Sequence, residues 1–454
     1  MFDVVILGGG SGGYACALRS AELGLKVALI ERDKLGGTCL HRGCIPTKAL
    51  LHAAEVADTA REAEKIGVQA SLTGIDLPKV NQYRDGVVGR LYKGLQGLVK
   101  SREITYIEGN GRVVAPNAVE VNGERIEGRN LVLATGSYSR SLPGLEIGGR
   151  VITSDQALNL DWIPGKVLVL GGGVIGVEFA SVWKSFGADV TIIEALPRLV
   201  PAEDEAVSKT LERTFRKRGI NFSTGVRFAS VAQDEHSVTA TLEDGKSFTA
   251  ELMLVAVGRG ANGTGHGFEE IGVTVDRGWV PTNERLATNV PGVYAVGDLV
   301  PGLQLAHRGF QHGIFVAEEI VGLAPRVIED RAIPKVTYCE PEIASIGYTE
   351  AQAKEKFGAD NIEAYEYNLG GNGKSQILGT AGFIKLVSEK HGPVIGLHMI
   401  GARVGEQIGE AQLIYNWEAT PEDVAPLIHA HPTQNEALGE AHLALAGKPL
   451  HAHA

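Results

Sequence analysis

Val4–Leu7 is a short apolar run that ends in Gly8-Gly9-Gly10-Ser11-Gly12-Gly13. A helical pattern follows to Leu23, and a second apolar run, Lys26–Ile30, ends at Glu31. The order strand, glycine turn, helix, strand, acid predicts a dinucleotide-binding βαβ unit. The pattern recurs. Val167–Leu170 leads into Gly171-Gly172-Gly173-Val174-Ile175-Gly176, a helix to Phe186, a strand Asp189–Ile193, and Glu194. Each acid stands 23 residues after its first glycine, and the two copies are displaced by 163 residues. One glycine turn is weak evidence, but two with an acid at equal distance are strong.

Other runs read as strands that complete these units: Leu131–Gly136, Leu254–Gly258 and Val293–Gly297. After the last, a helical pattern runs to about Ile320, and Asp298 reads either as its N-cap or as a ligand contact. From Ile333 the texture changes. Runs such as Phe383–Val387 and Val394–Met399 predict an antiparallel sheet, and Thr349-x-x-Gln352 has the form of a capping box. The fold expected is α/β: two Rossmann-like dinucleotide-binding domains and a C-terminal α+β domain. We divide the chain into 1–145, 146–270, 271–333 returning to the first domain, and 334–454.

The glycines have distinct physical tasks. Gly8 and Gly171 make the tight turn, Gly10 and Gly173 let backbone approach a pyrophosphate, and Gly13 and Gly176 let helix and strand pack closely. The helix N-termini offer free N–H groups to phosphate. Glu31 and Glu194 would accept from ribose hydroxyls, and a carboxylate at Glu194 disfavours a 2′-phosphate, so NAD is expected over NADP. Arg198, four residues on, is the one nearby cation and reads as a solvated loop residue.

Composition adds exclusions. Gly makes up 59 of 454 residues, about 13% against a usual ~7%. The net charge of −11, with no Lys/Arg cluster, excludes an ordinary nucleic-acid binder. No apolar run approaches the ~18 residues of a membrane span, and Met1–Val5 reads directly as a strand without a basic leader. Four cysteines in such a length are no disulfide scaffold, so a reducing, cytoplasmic compartment is expected.

Two of those cysteines lie close together in Gly36-Gly37-Thr38-Cys39-Leu40-His41-Arg42-Gly43-Cys44-Ile45-Pro46-Thr47-Lys48. Residues five apart on a regular helix are about 8.6 Å apart at Cα, whereas a disulfide needs roughly 4.4–6.8 Å. A non-regular backbone is therefore expected here, with Gly43 permitting it and Pro46 restricting Ile45. Arg42 and Lys48 could favour a thiolate or could be solvated cations. A zinc site would want more ligands than Cys39, Cys44 and His41, so no metal is expected.

This stretch resembles the active-site signature of the pyridine nucleotide-disulfide oxidoreductases, and the similarity extends over essentially the whole chain. His429-Ala430-His431-Pro432-Thr433-Gln434-Asn435-Glu436 also matches that family. The resemblance implies FAD on Gly8, Gly10, Gly13 and Glu31. Further flavin contacts would come from Thr38, Lys48, Gly111, Thr135, Gly136, Asp298 and Leu305-Ala306-His307. It implies NAD on Gly171, Gly173, Gly176, Glu194 and Gly258, with Glu178 near the nicotinamide and paired to Lys48. It also implies a homodimer through residues 334–454, with His431 serving the cysteines of the other copy. The implied reaction oxidises protein-bound dihydrolipoamide and reduces NAD⁺. The partner would be a lipoyl-bearing acyltransferase or carrier protein of a 2-oxo acid dehydrogenase or glycine cleavage complex.

In that scheme Cys39 exchanges with the substrate dithiol, Cys44 faces the flavin and His431 is the general base. Imidazole ordinarily titrates near ~6.5, which suits that task. Glu436 would orient His431, although Thr433-x-x-Glu436 is itself a capping-box pattern. His429 reads as a structural neighbour, and His451 and His453 as a loose tail. Departures from the family pattern stand at His41-Arg42, at Thr47 and at Asn368–Gly373. The alternatives are a glutathione reductase-like enzyme, disfavoured by Glu194, and a non-catalytic nucleotide-binding redox sensor, disfavoured by the intact cysteine pair.

Overall fold

A computed structural model of the chain describes residues 1–451. Its first sheet is built on β1 (Phe2–Leu7), β2 (Val27–Glu31), β3 (Thr105–Glu108), β4 (Arg112–Ala115), β5 (Ala118–Val121) and β6 (Glu124–Leu133), in the order β3-β2-β1-β6-β5-β4. β1 runs parallel to β2 (Val4 beside Val27) and to β6 (Leu7 beside Leu133). Val4, Val5 and Ile6 are fully buried, as expected of a strand covered on both faces. Helix α1 (Ser11–Glu22) follows β1, and the chain returns at Val293–Ala295 to pair with β6.

The second sheet repeats the plan. Its five parallel strands run Ile220–Thr224, Asp189–Glu194, Lys166–Leu170, Leu252–Val255, Val151–Thr153. Its glycine helix is Val174–Ser185. A ribbon of Ser137–Ser139 with Arg259–Ala261 carries the chain between the two units.

The C-terminal part holds a five-stranded antiparallel sheet in the order Lys335–Thr337, Glu342–Gly347, Val394–Gly401, Phe383–Glu389, Ile362–Asn368. The capping box at Thr349 and Gln352 forms with both reciprocal bonds. Among the described residues no helix is long and apolar enough to cross a membrane. One apolar core joins Leu50 and Ala54 to the second unit and to Ile343, Phe383 and Ile400, so the three parts pack as neighbours.

Candidate functional site

The two glycine turns superimpose in their chemistry. Gly8 and Gly171 have φ of +110° and +112°, and a Cβ on either would lie 2.2 or 2.4 Å from a carbonyl oxygen of the neighbouring strand end. A Cβ on Gly13 or Gly176 would lie 1.8 or 1.9 Å from the carbonyl oxygen of Gly8 or Gly171. The middle glycines differ. At Gly173 an added Cβ meets nothing within 4 Å, and at Gly10 only Gly37 Cα at 3.9 Å. The first and third glycines are therefore needed by the protein's own packing, while the second borders open space. Neither helix has a side-chain N-cap, so its first N–H groups are free toward that space. This is the arrangement that a dinucleotide pyrophosphate requires, and the residues fit FAD and NAD.

Both acids are fixed by backbone. Glu31 accepts from Gly9 N–H (2.6 Å) and Asp33 N–H (2.9 Å). Glu194 accepts from Gly172 N–H (2.6 Å) and Leu196 N–H (2.7 Å). Arg198 is half-buried in the loop and tethered there: its Nη2 donates to the Pro201 and Glu203 carbonyls at 2.9 and 3.0 Å. These loop carbonyls hold it.

The cysteines lie on either side of a helix break. Helix α2 (Gly37–Arg42) ends and helix α3 (Cys44–Glu62) begins at Gly43, whose φ of −143° and ψ of −111° are not helical. A Cβ on Gly43 would lie 3.0 Å from Thr38 O. The irregular backbone expected from the spacing is thus present, but Pro46 does not contribute to it. Ile45 is helical, and Pro46 sits in the first turn of α3, where its missing N–H has no intrahelical partner to lose. Thr47 closes that turn, its hydroxyl donating to Gly43 O at 2.6 Å.

Both thiols are free. A hydrogen bond from the Cys39 thiol favours the charged form of the Cys44 sulfur, which drives the two groups apart. Cys44 is pulled down to about 7 by that bond and by the Lys48 ammonium, against the opposing effect of burial. Cys39 is pushed far above the usual thiol range by the bond to Cys44 and by burial. Cys44 is thus the natural thiolate. Lys48 Nζ pairs with both Glu178 oxygens at 2.9 and 3.0 Å. Burial lowers the Lys48 pKa, but Glu178 more than offsets it, and the net direction is up. Arg42 plays no part in this, because it forms an exposed ion pair with Asp33 (3.0 Å). His41 bonds Leu35 O (2.8 Å) and packs edge-on against Tyr92. Among the described residues no cluster could hold a metal.

Asp298 is not a helix cap, because it accepts from Ser137 Oγ at 2.6 Å. The helix Ala306–Ile320 starts at Leu305 without a side-chain cap. Thr135 Oγ1 donates to Asn262 O (2.7 Å). Gly136 and Gly258 have φ of +72° and +106° and border open space. Gly111 serves packing, since a Cβ there would lie 2.7 Å from Leu7 Cδ1. Thr38 lies in α2 one residue before Cys39.

His431 lies in an exposed loop and has no bond to the cysteines of its own chain. Its Nδ1 meets Glu436 Oε1 at 2.8 Å, and the other Glu436 oxygen accepts from Thr433 N–H at 2.8 Å. Glu436 thus both orients the imidazole and closes the turn. Burial opposes its charge, but the Thr433 N–H and His431 outweigh that and hold its carboxyl below the usual range. The Asn368–Gly373 segment braces this loop. Asn372 Nδ2 donates to Thr433 O (3.0 Å), and Ser375 Oγ donates to Gln434 Oε1 (2.7 Å). His429 is a structural neighbour, bonded to Glu410 at 2.8 Å. His451 is not loose, because it is anchored twice to Glu440. His453 lies outside the described residues.

Sequence reasoning missed Tyr338 and Tyr14. Tyr338 N–H donates to Glu178 (2.9 Å), and its ring lies 4.6 Å from Lys48 Nζ. Tyr14 is pushed up to about 12 by burial and by the nearby cysteines. No spacing signal marks either residue.

Comparison with known proteins agrees with this layout. A family model described as pyridine nucleotide-disulphide oxidoreductase matches residues 2–313, and the dimerisation domain of the same family matches 333–442. The chain is 42% identical to a dihydrolipoyl dehydrogenase of Bacillus subtilis, over 99% of each chain. It is 37% identical to the mitochondrial dihydrolipoyl dehydrogenase 1 of Arabidopsis thaliana, over 99% of this chain and 91% of that one. The crystal structure of LpdA from Mycobacterium tuberculosis superimposes with a TM-score of 0.91 at 25% identity, over 98% and 100% of the two chains.

Proposed function

We propose, from the premise that this chain belongs to the pyridine nucleotide-disulphide oxidoreductase family, that it oxidises protein-bound dihydrolipoamide to lipoamide and reduces NAD⁺ to NADH. It is a flavoprotein enzyme of two nucleotide-binding domains and a dimerisation domain, using FAD and NAD. The observation that carries the reading is the cysteine pair at the Gly43 break, with Lys48 and Glu178 beside Cys44.

The first glycine turn and Glu31 would hold FAD, and the second turn and Glu194 would hold NAD. Bound FAD would supply two-electron redox chemistry between the cysteine pair and the nicotinamide. The chain's residues do the thiol chemistry. His431 of the partner subunit takes a proton from the substrate dithiol. The resulting thiolate bonds to Cys39 and breaks the Cys39–Cys44 bond, leaving Cys44 as a thiolate beside Lys48. The second substrate thiol then displaces Cys39 and gives up its proton to the departing Cys39 sulfur, the substrate leaves as a cyclic disulfide, and the imidazolium keeps the first proton. Glu436 fixes the imidazole tautomer throughout.

The chain acts as a homodimer. In a lone protomer the loop before His431 is bare, with Leu427 58% and Ile428 99% exposed, and a second copy would cover it. The donor is a lipoyl-bearing acyltransferase or carrier protein, and the cysteine usage fits the cytoplasm. The test is turnover of free dihydrolipoamide. NADH should form with NAD⁺ and much less readily with NADP⁺. No turnover with either nucleotide overturns the reading.

A further inference from the structure

Residues 195–204, between Glu194 and the helix Glu205–Arg218, make two sets of contacts. On one side they cover the second glycine turn. Val200 N–H donates to Gly172 O at 2.8 Å, and a Cβ on Gly172 would lie 2.6 Å from Leu199 Cδ2. On the other side the loop ends in two adjacent buried acids, Glu203 and Asp204, at 5% and 2% exposure. Both reach into the C-terminal domain. Glu203 pairs with Lys335 (3.1 Å) and accepts from Ser345 Oγ (2.5 Å). Asp204 pairs with Lys385 (2.8 Å) and accepts from Glu350 N–H (3.1 Å), and Lys385 also meets Glu350 (2.7 Å).

Between the two sets stands Val200, 2% exposed with φ +41°. A β-branched residue in the left-handed region is a genuine outlier and persists only where its surroundings over-determine it. Buried ion pairs are a costly way to join two domains if cohesion alone is needed, because apolar contacts usually do as well. What the pairs add is a fixed geometry for the strained turn that presses on Gly172.

We infer that the Lys385–Asp204 and Lys335–Glu203 pairs are positioning groups for the nicotinamide nucleotide: they hold loop 195–204 strained against the second glycine turn, so that the C-terminal sheet sets NAD affinity. The inference rests on the reading of that turn as the NAD site. It makes the glycine turn only half of the binding device, with the other half in residues that never touch the ligand.

The test uses the FAD-loaded full-length dimer and three readouts. These are the NAD⁺ dissociation constant by calorimetry, hydrogen–deuterium exchange of residues 195–204, and the rate of flavin reduction by dihydrolipoamide. Lys385→Met should weaken NAD⁺ binding by roughly 5- to 30-fold, the range that one or two kcal/mol of lost preorganisation gives. It should also speed exchange across 195–204 and leave flavin reduction by dithiol within about twofold. Val200→Gly in the same background removes the strain and should recover much of the affinity. Glu203→Gln is the milder variant if Lys385→Met fails to fold, and it should weaken NAD⁺ in the same direction. An unchanged dissociation constant in folded variants overturns the inference, as does equal loss of the dithiol half-reaction. Absence of NAD⁺ binding by the unmutated chain overturns the assignment of the second turn itself.

Discussion

Lys48→Met removes the one cation beside Cys44 among the described residues while keeping nearly the same side-chain length. In the native chain Cys44 is held near 7, about two units below its ordinary thiol value, first by the Cys39 thiol and then by Lys48. The Cys39 bond survives the substitution, so only part of that lowering is lost. The Lys48 side chain is 32% exposed, and water screens part of its charge. We therefore expect an upward shift of about one unit, or roughly 1.4 kcal/mol of thiolate stabilisation. Glu178, 3% exposed and no longer facing a cation, keeps its bond from Tyr338 N–H and opposes the thiolate. Lys48 outweighs Glu178 at Cys44, so the net direction on losing Lys48 is up. The assay is the long-wavelength charge-transfer band of the two-electron-reduced holoenzyme, followed against pH. The thiolate is present above the Cys44 value, so the native band should fade as pH falls through about 7. In Lys48→Met it should fade about one unit higher. A midpoint that stays put or moves down refutes the electrostatic role of Lys48.

Four further outcomes are expected. His431→Gln should slow dihydrolipoamide oxidation by roughly 10²- to 10⁴-fold and leave NADH-to-dye electron transfer nearly intact; equal loss of both sinks the assigned role. Gly173→Ala should keep its melting temperature, because its Cβ meets no protein atom, yet bind NAD⁺ about tenfold more weakly, or ~1.4 kcal/mol. Gly176→Ala should do the reverse, losing roughly 2–3 kcal/mol of stability by thermal or denaturant unfolding, because its Cβ collides with Gly171 O. Arg42→Ala removes only an exposed pair with Asp33 and should change stability by under ~1 kcal/mol and leave the pH midpoint of the charge-transfer band unmoved.

What could be read from the sequence was local and repeated. The glycine turns at Gly8 and Gly171 announced themselves because turn chemistry, strand and acid recur at one spacing, and the Cys39–Cys44 separation alone demanded a break. What could not be read depends on distant partners. Pro46 was expected to restrict Ile45, but its tolerance depends on which residue begins α3. Asp298 stood open between a cap and a ligand contact because its partner, Ser137, lies 161 residues away. Arg198 and His451 looked free because the carbonyls and the carboxylate that hold them form no sequence pattern. Glu436 was posed as a cap or an orienting group, and a carboxylate with two oxygens serves both uses. Tyr338 and the Glu203–Asp204 pair join elements separated by more than a hundred residues, which no periodicity records.

The central claim is that Cys39 exchanges with substrate while Cys44 is the thiolate that faces the flavin. Anaerobic titration with dihydrolipoamide, followed by visible absorbance in three proteins, tests it most directly. The native enzyme should develop the charge-transfer band at two electrons. Cys39→Ser should show the band before any reductant is added, because a free Cys44 thiolate remains, and Cys44→Ser should never show it. A band that survives Cys44→Ser and vanishes with Cys39→Ser would reverse the two roles and contradict the account.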